Sequence, residues 1–380
     1  MDINNIEEYN KDCTKYNSYV PFRIDKSDVR IVCIGDIHGD SEVAIFYLLI
    51  GKCIKMVDNR TDKSVLFYDK YNVPKYYEWI GKDTHVVQIG DQVDKCRSAT
   101  CEDIMNDEAS DIKILDFYTK MDEKAKDEGG RVISLLGNHE IMNVQGNMRY
   151  VSELGKVEFA YLEKEKEKIK DINLDEHIKR PVIKDKTKNE IGSKMRKEAF
   201  NIENHMLSEY LGCTRMSVII IGPILFVHGG ITTEVIRKYP DIKLENINVV
   251  VRKWLLGKAD EEMNKQMKGI LSSDHIFWNR VFGKMEERMD NEEKICKDNL
   301  DEIFRMYEIE GMVIGHTPQM KKGINSVCDN KVWRIDIGAS GAFDIFRNSR
   351  ENKNKFDNIQ ILEIKVKDGR TFKKVKTLND

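Results

Sequence analysis

The chain has 380 residues, 41% hydrophobic and 33% charged, which is enough apolar surface for a sizeable core and excludes wholesale disorder. Its 62 basic and 65 acidic side chains leave a formal net charge of -3, so no global field draws it to nucleic acid or to an anionic membrane. The longest apolar run, residues 217–227, is broken by Gly222-Pro223 and falls short of the ~18 residues of a membrane span, and the acidic start lacks an export pattern, so a cytoplasmic chain with neither membrane nor nucleic-acid partner is expected.

In chain order, residues 1–28 are polar and aperiodic and read as an N-terminal extension. The β-branched run 29–34 predicts a buried strand that stops at Gly35-Asp36, and residues 41–50 predict a mostly buried helix that opens on Ser41 as its cap and ends at Gly51. A second strand over 85–89 stops at Gly90-Asp91. A helix over about 110–126 then precedes a third strand, 131–136, which stops at Gly137-Asn138. Residues 147–215 turn to mixed Lys and Glu, with alternation over 163–170, and read as a charged helical insertion whose solvated face lies over or projects from the core and offers a place for a protein partner. Strands over 216–221 and 224–227 flank Gly222-Pro223, and the second stops at His228. Residues 246–308 read as largely helical, with Trp254 and Trp278 as packing anchors. Strand 312–314 stops at Gly315-His316, and runs over 333–337 and 359–365 complete the β content. With no repeat and no low-complexity linker, residues 29–380 are read as a single domain. Eight cysteines (13, 33, 53, 96, 101, 213, 296 and 328) without a Cys-x-x-Cys pair fit buried, reduced thiols, Cys96 and Cys101 being the nearest in sequence.

Five of these apolar runs end, with at most one intervening glycine, at a residue able to bind a metal: Asp36 with His38, Asp91, Asn138, His228 and His316. One Gly-Asp at a strand end is an ordinary turn. Five such ends are different, because the carboxyl ends of neighbouring strands in an α/β sheet gather side chains from distant sequence into one crevice. Two carboxylates, an amide and three imidazoles in one place would crowd like-charged oxygens unless cations neutralised them, and oxygen and nitrogen donors without thiolate suit Mn²⁺, Fe or Zn²⁺.

At these residues the chain resembles the binuclear metallophosphoesterases of the calcineurin-like superfamily. Gly35-Asp36-Ile37-His38-Gly39, Gly90-Asp91-Gln92-Val93-Asp94, Gly137-Asn138-His139-Glu140, His228-Gly229-Gly230 and Gly315-His316-Thr317-Pro318 stand in the family order. Within that family it is most similar to phosphoprotein phosphatases, above all their bacterial-type, Shewanella-like branch. The resemblance implies an α/β fold of two packed mixed sheets flanked by helices, and two divalent metal ions. Asp36 and His38 would hold the first ion, Asp91 would bridge both, and Asn138, His228 and His316 would complete the second. Pro318 stands where diesterase relatives often carry a further histidine, which favours the phosphatase branch. The implied reaction is in-line attack by a hydroxide held between the metals, with His139 protonating the departing oxygen and Asp94 orienting His139.

The chain departs from the protein-phosphatase pattern after Asp94, where Lys95-Cys96 replaces the usual Arg-Gly. Lys95 is expected to offer its charge to a phosphate oxygen, and Arg280, in Phe277-Trp278-Asn279-Arg280, to supply a two-pronged contact. The expected activity is a phosphomonoesterase of the serine/threonine protein-phosphatase type acting on a phosphoprotein or small phosphorylated substrate. The alternatives are a dinucleoside polyphosphate hydrolase and a non-catalytic binding protein that keeps the fold.

Overall fold

The computed structural model describes residues 3–57, 76–98, 101, 104, 106–164, 182, 185–286, 291–346 and 359–380. Two sheets carry it. The first is built on β2 (Val29–Ile34), β5 (His85–Gln88) and β6 (Arg131–Ser134), which pair in parallel with Ile31 opposite His85 and His85 opposite Arg131. These are near-continuous apolar runs because both faces are covered, and β5 is buried at every position. On the other side β12 (Ile361–Lys367) runs antiparallel to β2, and β13 (Arg370–Lys376) closes that edge, with Arg370 and Lys374 exposed on it.

The second sheet has the order β1-β7-β8-β9-β11-β10. Its centre is the hairpin of β7 (Val218–Ile221) and β8 (Ile224–Val227), followed by β9 (Gly311–Ile314) parallel to β8; all twelve residues are buried. β11 (Val332–Arg334) runs parallel to β9, with β10 (Asn325–Val327) antiparallel beyond it. A single bridge between Leu135 and Met216 joins the two sheets where β6 leaves one and the chain enters the other. A small hairpin, β3 (Ile54–Met56) with β4 (Tyr77–Trp79), stands apart. Helices 41–50 and 111–127 pack on the first sheet; the segment expected to be helical, 246–308, contains helices Leu244–Leu255, Glu261–Ile270 and Glu292–Met306 beside the second. The architecture is the expected mixed α/β one of two packed sheets flanked by helices.

Four local expectations are corrected. The first helix is capped by Asp40, whose carboxylate accepts from the Val43 amide at 3.2 Å, and Ser41 already lies inside it. The first 28 residues are built into the domain: helix Ile3–Asp12 packs Tyr9 and Cys13 against Cys213 and Leu256, and β1 (Arg23–Ile24) adds a parallel strand beside β7. Six of the eight cysteines form disulfides, Cys13–Cys213, Cys96–Cys101 and Cys296–Cys328, leaving Cys33 and Cys53 as buried thiols. Two of those bridges span 200 and 32 residues, so only the fold brings the partners together.

The charged insertion contributes to the core. Its residues 165–181 lie outside the described ones, but helices Lys186–Phe200 and Leu207–Thr214 bury Met195, Ala199, Phe200, Leu207 and Leu211 in the main apolar cluster. No helix among the described residues is long and apolar enough to cross a membrane.

Candidate metal centre

β2, β5 and β6 of one sheet and β8 and β9 of the other release their chains toward one point, and the loops that follow are tied together at once. The amides of Ile37 and His38 donate to the Asp91 carbonyl at 3.0 and 2.9 Å, clamping the β2 loop to the β5 loop. The His316 amide donates to the Asp36 carboxylate at 3.1 Å, which binds the β9 loop of the second sheet to the β2 loop of the first. Such proximity needs glycine: a Cβ on Gly137 would stand 2.1 Å from the Asp91 carboxylate, and one on Gly315 would stand 2.3 Å from that of Asp36. His38, Asp91, Asp94 and His316 all adopt positive φ, between 46° and 75°. Left-handed backbone at a non-glycine residue costs on the order of 1 kcal/mol or more, and four instances within one site mark a constellation that the surrounding fold enforces.

One oxygen lies at the middle. Asp91 Oδ2 is 3.4 Å from His228 Nε2, 3.8 Å from His38 Nε2 and 3.9 Å from His139 Nε2. Two groups with metal-holding spacing share that residue, His38/Asp91/His139 and Asp91/His228/His316, each with its donor atoms within 4.8 Å of one another. Asp36 Oδ2 stands 3.7 Å from His38 Nε2, and Asn138 Oδ1 stands 3.0 Å from His228 Nε2. The Asn138 amide nitrogen points the other way, to Met142 Sδ, so its oxygen faces the centre. His228 turns Nδ1 to the Ile89 carbonyl at 2.9 Å, the outer contact that fixes a ring for ligation through Nε2. His316 Nε2 is buried without a hydrogen-bond partner, beside the edge of Trp278. Lone pairs converging on lone pairs, with an orphaned imidazole nitrogen among them, are a donor set that fits cations and little else.

The electrostatics agree. Burial disfavours an ionised Asp91, but the imidazoles of His228, His139 and His38 outweigh it and hold the carboxyl well below the usual carboxylate range. Burial, then the charges of Asp336 and Asp91, push Asp36 the other way. Burial also holds His38 and His316 below the ordinary histidine range, whereas at His228 the Asp91 carboxylate outweighs burial and holds the ring above it.

His139 follows Asn138 on the short helix Asn138–Val144, and its amide donates to Asp91 Oδ1 at 2.9 Å. Its Nδ1 meets Asp94 Oδ2 at 2.8 Å. The other Asp94 oxygen accepts from Asn143 at 2.9 Å and faces the Arg196 guanidinium at 3.5 Å. Arg196, with no exposed surface, also pairs with Asp111 at 2.7 Å and donates to Asn143 at 2.8 Å. Sequence reasoning missed Arg196, because a lone arginine in a Lys/Glu-rich stretch carries no local signal. Glu140, the last residue of the Gly137-Asn138-His139-Glu140 string, has a structural role that the motif alone does not assign. Its carboxylate accepts from the amides of Asp91, Gln92, Val93 and Gly137 at 2.7–3.2 Å, so it moulds the whole Asp91 loop, and its place three residues after Gly137, at the start of a helix, was the readable signal.

Lys95 and Arg280, the two cations expected to meet phosphate, are both engaged by groups of the protein itself. Lys95 is 2% exposed, and its ammonium is held by Glu108 at 2.5 Å and Asp40 at 3.8 Å. The carboxylates of the neighbouring loops capture it, which corrects its assignment to phosphate. Arg280 stands at the edge of the centre and donates from Nη1 to the His316 carbonyl at 3.0 Å and the Thr317 hydroxyl at 3.1 Å. The cation nearest His38 and His139 is Arg97, two residues beyond Lys95, which sequence reasoning passed over: its Nη2 lies 2.6 Å from His38 Nδ1 and 3.3 Å from His139 Nε2.

Comparison with known proteins agrees with this geometry. The family model of the calcineurin-like phosphoesterases matches residues 29–320. The chain is 33% identical over 265 residues to an uncharacterized protein of Acanthamoeba polyphaga mimivirus, covering 65% of this chain and 94% of that one. It is 29% identical to Shewanella-like protein phosphatase 2 of Arabidopsis thaliana, covering 87% of this chain and 76% of that one. Among solved structures, a cold-active protein-tyrosine phosphatase of a psychrophilic Shewanella shares the fold with a TM-score of 0.54 at 20% identity, over 94% of this chain and 83% of that one. A family match across three quarters of the sequence, on the very strands that deliver these side chains, means that the chain belongs to the calcineurin-like phosphoesterase family, as a metal-dependent phosphatase.

Proposed function

We propose that this chain hydrolyses phosphate monoesters, and that its substrates are phosphoproteins carrying phosphoserine or phosphothreonine. The observation that carries the reading is the position of Asp91, common to two donor groups, with the His139–Asp94 pair directly alongside. In this reading Asp36, His38 and Asp91 hold one divalent cation, and Asp91, Asn138, His228 and His316 a second. Such ions, when bound, polarise the phosphoryl group and lower the pKa of water toward about 7.

The remaining chemistry belongs to side chains of this chain. Asp94 accepts from His139 Nδ1, so the ring can carry its transferable proton on Nε2, the nitrogen turned toward Asp91. An alkoxide leaving group is a poor one and needs that proton, which is why a positioned imidazole supports serine and threonine esters in particular. The His139 amide bond to Asp91 fixes the separation between the acid and the cation-holding carboxylate. Arg196 and Asn143 hold the second Asp94 oxygen, so Asp94 cannot rotate away from the ring. Arg280, anchored on the His316 carbonyl and Thr317, lines the edge where a phosphoryl oxygen or the substrate backbone would pass.

The test is turnover of a substrate panel with Mn²⁺ supplied: a phosphothreonine peptide, a phosphotyrosine peptide, a dinucleoside tetraphosphate and an aryl phosphodiester. The phosphothreonine peptide is expected to be turned over with the highest kcat/KM. Preference for the tetraphosphate or the diester would overturn the monoesterase reading. Preference for phosphotyrosine would leave a monoesterase and overturn its serine/threonine assignment.

A further inference from the structure

Resting on the two-cation reading of the centre, we infer that Asp336 belongs to the cation-holding group and that its unpaired carboxylate oxygen supplies charge to the first cation, the one held by Asp36, His38 and Asp91. It is delivered as the other donors are. β11 runs parallel to β9, and the pairing of Arg334 with Ile314, carried on by two residues, sets Asp336 level with His316. The Ile335 amide donates to the Ile314 carbonyl at 2.9 Å and the Gln319 amide to the Asp336 carbonyl at 2.8 Å, so the loops that follow β9 and β11 are tied to each other at this residue.

Its surroundings are those of the centre. The chain leaves β11 so close to the end of β2 that a Cβ on Gly35, the residue before Asp36, would stand 2.3 Å from the Ile335 carbonyl oxygen and 3.4 Å from the Asp336 Cα. Asp336 is 1% exposed. Its Oδ1 accepts from the Gly338 amide at 2.8 Å, and its Oδ2 is buried without a hydrogen-bond partner among the described residues. After burial, Asp336 is the charge that does most to push the Asp36 carboxyl up, ahead of Asp91. The charges of Asp91, His228 and Arg97, all groups of the centre, act on Asp336 in turn. The Tyr47 hydroxyl, pushed up by burial and then by the charges of Asp336 and Asp36, is likewise buried and unpaired, so it does not take up Oδ2.

A buried carboxylate oxygen without a partner is costly, and the turn at Gly338 does not call for it, because Oδ1 alone accepts that amide. Asp36, Asp91 and Asp336 crowd three carboxylates that positive charge would reconcile. The first cation is the one with fewer donors. On the two-cation reading it has Asp36, His38 and Asp91, whereas the second has Asp91, Asn138, His228 and His316, and Pro318 adds no ligand from the β9 loop. A carboxylate oxygen is a donor that suits Mn²⁺, and a carboxylate standing behind a ligand such as Asp36 changes cation affinity even where it does not touch the ion.

The experiment uses the full chain stripped of metal and titrated calorimetrically with Mn²⁺, in the wild type, Asp336→Asn and Asp336→Glu, with the melting temperature of each metal-free protein followed by circular dichroism. Asparagine keeps a carbonyl oxygen for the Gly338 amide and removes the charge. Of the two Mn²⁺ affinities, one is expected to fall on the order of 10- to 100-fold in Asp336→Asn and the other to change far less, with the metal-free melting temperature held. Asp336→Glu, which restores the charge, is expected to recover part of the loss. An Asp336→Asn protein that binds both ions as the wild type does overturns the assignment while leaving the two-cation reading intact, whatever its melting temperature. Should Asp336→Asn lose affinity and stability together, Asp336→Glu decides: affinity no better than that of Asp336→Asn makes the effect one of packing and overturns the assignment. Should Asp336→Asn fail to fold, wild-type affinity for both ions in Asp336→Glu overturns it, because the longer arm moves the oxygen. A wild type that binds fewer than two Mn²⁺ overturns the two-cation reading and this inference with it.

Discussion

Asp91 and His139 divide the work of the site between holding charge and moving a proton, and both are fixed by neighbours more than by their own conformational preference. Asp91 sits at φ 54°, where a non-glycine residue is strained, and Glu140 holds its loop there through four backbone amides. His139 is buttressed through Asp94, so its contribution can be read from the leaving group. His139→Ala is expected to slow hydrolysis of alkyl phosphates by 10²- to 10⁴-fold, roughly the size of general-acid catalysis, and aryl phosphates far less. Comparing kcat on phosphothreonine and p-nitrophenyl phosphate checks this, and equal losses on the two would remove the acid role. At this scale the sequence was readable wherever a donor directly follows an apolar run and a glycine, as Asp36, Asp91, Asn138 and His316 do. It was silent on Arg97 and misleading on Lys95, because capture of a lysine by Glu108 and Asp40 is a fact of folded loops and leaves no trace in spacing.

The helix Lys186–Phe200 shows how an element can be misread from composition. Its lysines and glutamates argue for a solvated face, yet Ile191, Met195 and Ala199 recur every four residues and form the stripe that packs against the core. Arg196 lies beside that stripe, and burial without exposed surface makes its ion pairs matter. Burial drives the Asp111 carboxyl up to about 7 even with Arg196 adjacent, a measure of how dry this place is. Arg196→Met would leave Asp94 and Asp111 facing each other without a cation. The expected cost is about 3–5 kcal/mol of stability, the usual penalty for stranding a buried charge, together with a fall in kcat as Asp94 loses its orientation. Urea denaturation followed by kinetics on the same preparation checks it, and an unchanged midpoint would show that the insertion does not support the site. The strands were far more legible than this helix, because β5, β7, β8 and β9 are buried throughout and β2 at every position but Arg30, and their apolar runs are almost unbroken.

Over the whole molecule the site exists only because the strands of two packed sheets deliver their following loops to one point. Asp36, Asp91 and Asn138 follow strands of one sheet, and His228 and His316 follow strands of the other. The motif order made that convergence legible in advance, while the long-range bridges Cys13–Cys213 and Cys296–Cys328 and the docking of the N-terminal helix depend on contacts that no local pattern encodes. What the two sheets jointly provide is one carboxylate shared by two donor groups. Metal content per chain, determined by mass spectrometry of the purified wild type and of Asp91→Asn after Mn²⁺ loading and desalting, tests this most directly. Close to two ions per wild-type chain, falling well below one in Asp91→Asn because both groups lose their common oxygen, is the expected result; an Asp91→Asn protein that retains two ions would contradict the shared centre.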